Sequence, residues 1–219
     1  GFEVYLRDST LYAEDLCYAI LSAGKQYNLM VTAPSHCRRI QAGILSWGQD
    51  MDHQHNPFQC NLGYQVSLSG KGRWDKRAPC IGKEVLEAMR DDLRNGIKPY
   101  KLQLVGLVMG GKPIKDFASD FWPICLPQED SPCGFVTSPW YHPDLRCNIA
   151  MGYVPFDGTL NQSGFPTGKV GQEFEVYLPD DYAEMPGQPV RANVVSMPFT
   201  KSVNPNTREI IGSQAVLGN

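Results

Sequence analysis

The spacing of apolar residues divides the chain into two parts that meet near residue 100. In the first part, apolar side chains recur three or four positions apart, which is the period of an amphipathic helix. This spacing predicts helices over residues 12–24, 35–43 and 82–93. Gly24 and Gly43 are the expected stops of the first two, because glycine readily takes the left-handed conformation that ends a helix.

Two segments of the first part have the pattern of strands instead. Residues 2–6 place aromatic and β-branched side chains around Glu3, and residues 64–68 read Tyr-Gln-Val-Ser-Leu. Both patterns predict strands. The glycines within residues 69–72 then predict a turn.

The second part shows short apolar runs separated by glycine and proline, with almost no helical period. It follows Asn95 to Pro99, which has the composition of a linker. The runs predict strands, at residues 101–109, 134–138, 149–154, 173–178 and 190–197. Short strands at this spacing favour a small antiparallel barrel or sandwich. The predicted domains are an α+β segment at 1–96, a β-barrel at 97–203 and a polar tail at 204–219.

Charge and composition argue against several kinds of partner. The 219 residues include 20 basic and 23 acidic side chains, giving a net charge of -3 without a basic block. Nothing here favours nucleic acid or an anionic membrane. The apolar run from Leu102 to Met109 is far shorter than the roughly 20 residues of a membrane span. The sequence opens without methionine, already inside a predicted strand, so we expect it to be the later part of a longer protein.

The seven cysteines are scattered and include no Cys-x-x-Cys pair. A disulfide framework or a structural zinc site needs close, regular spacing. The pattern therefore predicts free thiols in a reducing, cytoplasmic compartment. His53 and His55 lie in a polar stretch with no third ligand at evident spacing, so no metal site is predicted. No Gly-x-Ser-x-Gly elbow marks a serine nucleophile.

Glu3 and Arg39 are the charged residues of most chemical interest. A carboxylate in an apolar strand either faces solvent or accepts hydrogen bonds from a ligand. Arg38 and Arg39 are adjacent on a predicted helix, so they lie about 100° apart and cannot both face one way. Counted against Ile40 and the stop at Gly43, Arg39 is the better candidate for a cleft, where its guanidinium could bind a ligand carboxylate. A surface arginine is the alternative.

Three aromatic residues are candidates for pocket walls. Tyr64 opens a predicted strand, while Trp140 and Tyr141 lie in what the sequence predicts to be a proline-rich connection between barrel strands. Aromatic residues clustered in a loop often rim a pocket. They also plug interfaces between domains, and the sequence slightly favours that role.

Four stretches of the chain carry a family resemblance. Gly-Phe-Glu-Val at 1–4 is similar to a Gly-x-Glu-Ile strand, and residues 39–52 are similar to an Arg-Leu-Glu-Ala-Gly…Tyr-Gly-x-x-Met-Asp run. Ile-Gly-Lys-Glu-Val-Leu at 81–86 resembles Ile-Gly-Lys-x-Ala-Leu, and Gly-Phe-Val-Thr-Ser at 134–138 resembles a Gly-x-Val-Thr-Ser hairpin. In this order they resemble the tetrahydrofolate-dependent aminomethyltransferase family, also called the glycine-cleavage T-protein family.

This resemblance implies a partial ferredoxin-like folate-binding domain followed by a small antiparallel β-barrel, with tetrahydrofolate as cofactor. It implies that Glu3 holds the pterin ring, that Arg39 lies at the folate site and that Tyr64 forms an aromatic wall beside it. Trp140 and Tyr141 are then candidates for the substrate pocket.

One branch of the family is favoured over the others. Ser35 and His36 replace the Arg-Asp usual in the family, which counts against aminomethyl transfer from a lipoyl carrier protein. Pro-Ser-His at 34–36, Asn-Pro-Phe at 56–58 and residues 194–199 resemble the branch that demethylates dimethylsulfoniopropionate. That branch implies a small-molecule sulfonium donor and methyl transfer to N5 of tetrahydrofolate.

Two alternatives stay open. The first is a glycine-cleavage aminomethyltransferase, or another amine or aryl-ether demethylase of the same family. The second is a folate-binding, non-catalytic regulatory protein. The resemblance leaves the catalytic residues unassigned, because much of the family's substrate pocket lies in an N-terminal part. For the same reason, we expect the chain to be inactive alone. A homodimer is also left open.

Overall fold

The computed structural model describes residues 2–66, 68, 81–116 and 118–199. The chain divides into two compact units, Gly1–Ser35 and His36–Asn219. Residues 36–96 are grouped with the barrel in the second unit, while the predicted domain bounds at 96 and 203 stay predictions. The predicted turn at 69–72 and the predicted tail at 204–219 lie outside the described residues.

The first unit is helical. Helix α1 spans Ser9–Gly24 and continues into a 3-10 turn, Lys25–Tyr27, which confirms the helix predicted at 12–24. Residues 2–6 have no regular secondary structure, so the strand predicted there is wrong. A strand needs hydrogen bonds from a neighbouring strand, and the sheet found in the described part of the chain does not include this segment. The described helices lack the combination of length and apolar character that a membrane span needs.

The second unit opens with helix α2, His36–Ala42, which confirms the helix predicted at 35–43. Gly43 ends it with a φ of 70°. The N–H of Gly43 donates to the carbonyl of Ile40 at 2.9 Å, and the N–H of Ile44 donates to that of Arg39 at 2.8 Å. This pair of hydrogen bonds is a Schellman motif, and it places Arg39 in the last turn of the helix.

Helix α3, Lys83–Arg94, confirms the helix predicted at 82–93. The strand predicted at 64–68 is wrong at the described residues of that range, because Gly63–Gln65 forms a 3-10 turn. A Cβ on Gly63 would lie 2.8 Å from the rings of Phe58 and Phe165. Tertiary packing against these two rings, rather than alternation along the segment, therefore decides the local backbone.

Six antiparallel strands close a barrel in the order β1-β4-β3-β2-β5-β6, and β6 pairs back to β1. The strands are β1 Leu102–Met109, β2 Trp122–Cys125, β3 Pro132–His142, β4 Cys147–Pro155, β5 Glu173–Val176 and β6 Val190–Val195. Closure removes the open edges that a flat sheet would expose. The α+β class and the antiparallel barrel are confirmed, while β2 has no counterpart among the predicted strands.

Alternate residues of β1 face two different cores, as the two-residue period of a strand requires. Val105 and Met109 belong to a buried cluster with side chains from all six strands, which fills the barrel. Leu104 and Val108 belong to a second cluster that includes Ile40 of α2. Helix α2 therefore packs on the outer face of the barrel, next to β3 and β4.

Candidate functional site

A fully buried carboxylate, Asp50, is the centre of the polar contacts between α2 and the barrel. Asp50 is 0% exposed, and its carboxylate accepts four hydrogen bonds. Its Oδ2 accepts from the guanidinium of Arg39 at 2.7 Å and from the backbone N–H of Ser46 at 2.9 Å. Its Oδ1 accepts from the hydroxyls of Thr137 at 2.5 Å and Ser138 at 2.6 Å. A buried charge is costly unless it is paired and hydrogen-bonded, and these donors meet that need.

A β-bulge brings the two hydroxyls to Asp50. The register between β3 and β4 shifts between Val136 and Ser138, which makes Thr137 the extra residue. Bulges of this kind re-aim side chains. The side-chain amide of Gln49 also donates to the carbonyl of Thr137 at 2.7 Å. Two of the four stretches that carry the family resemblance, 39–52 and 134–138, are therefore in direct contact.

Arg39 is held on several sides beyond its ion pair with the buried carboxylate. Its Nη2 donates to the hydroxyl of Ser138 at 2.7 Å, its Nη1 donates to the carbonyl of Ile44 at 3.2 Å, and its Nε donates to Nδ1 of His36 at 3.4 Å. The side chain is 17% exposed, whereas Arg38 is exposed. Arg39 is thus the arginine that turns toward the protein, as predicted. Its role toward a ligand stays a prediction.

A second polar layer lies behind the carboxylate. The hydroxyl of Tyr153 donates to the backbone carbonyl of Asp50 at 2.8 Å, and the thiol of Cys60 lies 3.4 Å from that hydroxyl. Burial raises the pKa of both Tyr153 and Cys60. Both groups therefore stay protonated at neutral pH, and Cys60 is not an activated nucleophile. The ring of His55 packs on Tyr153 with centroids 4.8 Å apart, and its Nδ1 lies 2.8 Å from the carboxylate of Asp52.

Tyr64 lines a cavity of about 300 Å³ beside β1 and β6, which we call the Tyr64 cavity. Its walls come from Asn61 and Tyr64, from Val105 and Gly106 of β1, from six residues between 161 and 168, and from Val195 and Met197. None of these lining residues carries a formal charge. The ring of Tyr64 is 68% exposed. Asn61 fixes part of the wall, because its side-chain amide donates to the carbonyl of Leu104 at 2.7 Å. The cavity therefore offers an aromatic face and neutral polar groups.

A second cavity of about 280 Å³ lies beside helix α3, and we call it the α3 cavity. Its lining combines apolar side chains with two arginines of α3, Arg90 and Arg94. Ser163 and Phe165 line both cavities, so these two residues form a shared wall.

Glu3 lies in the first unit, in the irregular segment before α1. It is exposed and its carboxylate accepts a hydrogen bond from the hydroxyl of Tyr5. This hydrogen bond raises the pKa of the Tyr5 phenol. The role of Glu3 as a pterin ligand stays a prediction.

Trp140 and Tyr141 lie within β3 and pair with β4, so the connection predicted at this point is wrong. The prolines suggested a loop, but Pro139 follows the bulge, where a missing N–H is tolerated. Trp140 stacks on the ring of His36 in α2 with centroids 5.4 Å apart. Neither aromatic residue lines the Tyr64 cavity or the α3 cavity, and their role in a substrate pocket stays a prediction.

Sequence reasoning missed Asp50 as the partner of Arg39. The available signal was an acidic residue inside a stretch that carries the family resemblance. It also missed the two arginines of α3, whose spacing of four residues places them on one helix face. Within the described ranges, no group of three or more His, Cys, Asp and Glu side chains could hold a metal ion. His53 instead packs on the ring of Trp47, with centroids 5.5 Å apart.

Comparison with known proteins places this fold and these motifs in context. Residues 103–201 match the model of the glycine cleavage T-protein C-terminal barrel domain. The dimethylsulfoniopropionate demethylase of Ruegeria pomeroyi is 30% identical over 154 residues, which are 70% of this chain and 37% of that protein. The aminomethyltransferase of a Synechocystis species is 36% identical over 138 residues, which are 63% of this chain and 30% of that protein.

A third relative covers more of the chain. The aminomethyltransferase of Symbiobacterium thermophilum is 28% identical over 204 residues, which are 92% of this chain and 45% of that protein. The chain thus spans less than half the length of these relatives. The crystal structure of the glycine cleavage system aminomethyltransferase T from Bartonella henselae shares the fold, with a TM-score of 0.52 and 21% identity over 80% of this chain and 38% of that one.

Proposed function

Because residues 103–201 match the model of the glycine cleavage T-protein C-terminal barrel domain, we propose that this chain forms part of a tetrahydrofolate-dependent methyltransferase. The proposed donor is a sulfonium such as dimethylsulfoniopropionate, and the acceptor is N5 of tetrahydrofolate. Two of the three segments that resemble the sulfonium branch, 56–58 and 194–199, border the two cavities. Val195 and Met197 line the Tyr64 cavity, and Phe58 lines the α3 cavity.

The proposed reaction requires little acid–base catalysis from the protein. The bond between the methyl carbon and sulfur breaks with its electrons left on sulfur, which becomes a neutral sulfide. The lone pair of N5 forms the new bond to the methyl group, and N5 then loses its proton to solvent. A sulfonium is already a good leaving group, so the protein has to align the methyl group with N5 and exclude water.

The Tyr64 cavity is the observation that carries the cofactor proposal. We place a folate ring against the exposed face of Tyr64, since offset stacking of aromatic rings is favourable. The cavity lining has no charged side chain, so a neutral ring bound there would leave no buried charge without a partner. As a separate proposal, the carboxylate of Glu3 binds a pterin by accepting hydrogen bonds from its ring N–H and its amino group. A carboxylate can accept both in a bidentate pair.

Arg39 is the proposed contact for a folate carboxylate, with a limited capacity. Its contacts to Asp50, Ile44, Ser138 and His36 use four of the five guanidinium N–H groups. In the described part of the chain, one Nη2 hydrogen is left over for a ligand. We therefore propose a single hydrogen bond to the carboxylate instead of a bidentate pair.

Titration with tetrahydrofolate tests this placement. Replacing Tyr64 with alanine removes the stacking face, and we expect the dissociation constant to rise about tenfold. Tyr177→Ala is the matched control, because Tyr177 lies outside the lining of the Tyr64 cavity, and it should leave the affinity unchanged. Equal affinities for the wild type and Tyr64→Ala would remove Tyr64 from the proposed site.

A second candidate function is aminomethyl transfer, which is favoured by the number of aminomethyltransferases among the relatives, including one at 36% identity. A methyl-transfer assay on the complete protein separates the candidates. It should compare sulfonium, glycine-betaine and aminomethyl-lipoyl donors with tetrahydrofolate as acceptor. Turnover of the sulfonium donor alone supports the demethylase. Folate binding without turnover of any donor would indicate the non-catalytic regulatory protein instead.

A further inference from the structure

The α3 cavity has an apolar floor, and the folate site proposed in the Tyr64 cavity does not account for it. One side of helix α3 packs into a buried cluster. In this cluster Leu93 of α3 is 6% exposed, and Phe58, which lies before the helix in the chain, is 3% exposed. Leu160 and Phe165 pack against the same cluster. Together these four residues supply most of the apolar lining of the cavity. Concave sites with apolar walls and a few polar groups are the usual form of small-ligand pockets.

Two arginines on one face of α3 add positive charge to this cavity. Arg90 and Arg94 are four residues apart, and their side chains are 25% and 65% exposed. They share one carboxylate: Asp91 lies 3.0 Å from Nε of Arg90 and 3.6 Å from Nη1 of Arg94. Among the described residues that line the cavity, only these two arginines are charged, and the one carboxylate that they share leaves a net positive charge there. The helix dipole accounts for basic residues in a last turn, but not for an open apolar cavity directly beside them.

We propose that the α3 cavity binds a small organic monoanion with an apolar body, namely a short- or medium-chain carboxylate. The apolar part of the ligand lies on Phe58, Leu93 and Leu160, and its carboxylate accepts hydrogen bonds from Arg90 and Arg94. A net charge of one suits a monoanion better than a polyphosphate. The cavity volume of about 280 Å³ is at the small end of ligand pockets, so a large cofactor does not fit this space.

This site is separate from the proposed folate site. Ser163 and Phe165 stand between the two cavities, and the Tyr64 cavity has no charged lining residue. A ligand of the α3 cavity should therefore bind in the presence of saturating tetrahydrofolate. The inference does not rest on the proposed methyl transfer, and it would survive the failure of that proposal.

Calorimetric titration with octanoate tests the inference, with octanol and octylammonium as neutral and cationic probes of the same length. We expect saturable binding of octanoate at one site per chain. Octanol should bind at least about tenfold more weakly, because it cannot form the charged hydrogen bond. Octylammonium should not bind. Arg94→Glu reverses a charge on a mostly exposed side chain, so the fold should persist, and octanoate affinity should fall by about tenfold or more.

Two further variants make the result decisive. Arg191→Gln is the matched control, because Arg191 is an exposed arginine of β6 outside the lining of this cavity, and it should bind octanoate like the wild type. Leu160→Ala shortens the apolar floor and should weaken octanoate and octanol alike. Equal binding of octanoate and octanol, or unchanged octanoate binding in folded Arg94→Glu, would overturn the proposal. Displacement of octanoate by tetrahydrofolate would overturn the claim of a separate site.

Discussion

Replacing Asp50 with asparagine removes the charge that holds α2 to the barrel. The carboxylate is 0% exposed and accepts from four donors. The amide keeps one oxygen for the hydroxyls of Thr137 and Ser138, but its NH₂ group then faces the guanidinium of Arg39 and the N–H of Ser46, which are both donors. Removing one partner of a buried ion pair costs about 3–5 kcal/mol. Because Arg39 is 17% exposed, we expect the lower end, about 3 kcal/mol of unfolding free energy.

Urea unfolding followed by circular dichroism and tryptophan fluorescence measures this loss, which should also lower the melting temperature by about 6–12 °C. Asp52→Asn is the matched control two residues away. Its side chain is 41% exposed and interacts with His55 and with the N–H of Gln54. Exposed ion pairs contribute little, so we expect the control to lose no more than about 1 kcal/mol.

A double-mutant cycle then assigns the loss to the ion pair. The cycle combines Asp50→Asn with Arg39→Met and isolates the interaction between the two side chains. We expect a coupling free energy of about 2 kcal/mol. Equal losses in Asp50→Asn and Asp52→Asn, or a coupling free energy near zero, would refute the reasoning.

Two other changes test the packing of β3 and β4 and the pH dependence of stability. A Cβ on Gly134 would lie 2.0 Å from the backbone oxygen of Tyr153, so Gly134→Ala should lose about 3 kcal/mol of unfolding free energy. In thermal unfolding, Gly110→Ala, whose Cβ would meet nothing closer than 3.6 Å, should lose far less. Burial lowers the pKa of His142, and its Nδ1 accepts from the N–H of Leu145 at 3.2 Å. The unfolded chain therefore takes up a proton near pH 6.5 that the folded chain does not. The free energy of unfolding should therefore fall as the pH drops below that value. His142→Gln should show a smaller fall than the wild type between pH 7 and pH 5. Identical pH profiles of the two proteins would contradict this assignment.

The helices and most barrel strands follow from local patterns. α1, α2 and α3 repeat apolar residues with a helical period, and Gly43 supplies the left-handed residue that the end of α2 requires. Apart from Gln103, the run from Leu102 to Met109 is apolar because both of its faces are buried, one inside the barrel and one under α2. In these segments, local propensity and tertiary packing favour the same structure.

The two strand predictions that were wrong share one cause. Residues 2–6 have the aromatic and β-branched composition of a strand, and residues 64–68 alternate as strands do. Either pattern only marks a segment that could pair. Whether it pairs depends on a neighbour, and the neighbour is set by the fold. Strand β2 is the converse case: Trp122–Cys125 is short and contains Pro123, so its pattern is weak, but β3 and β5 pair with it on both sides.

The sequence by itself determined the helices of the first part, the β-rich second part, the near balance of basic and acidic residues and the family resemblance, because these depend on residue type and spacing along the chain. Only the tertiary structure decided that Arg39 is bound to Asp50, that a bulge in β3 supplies the two hydroxyls, and that Arg90 and Arg94 line an apolar cavity. These contacts join residues far apart in the chain. Their geometry depends on barrel closure and on the packing of α2 and α3, which no local pattern encodes.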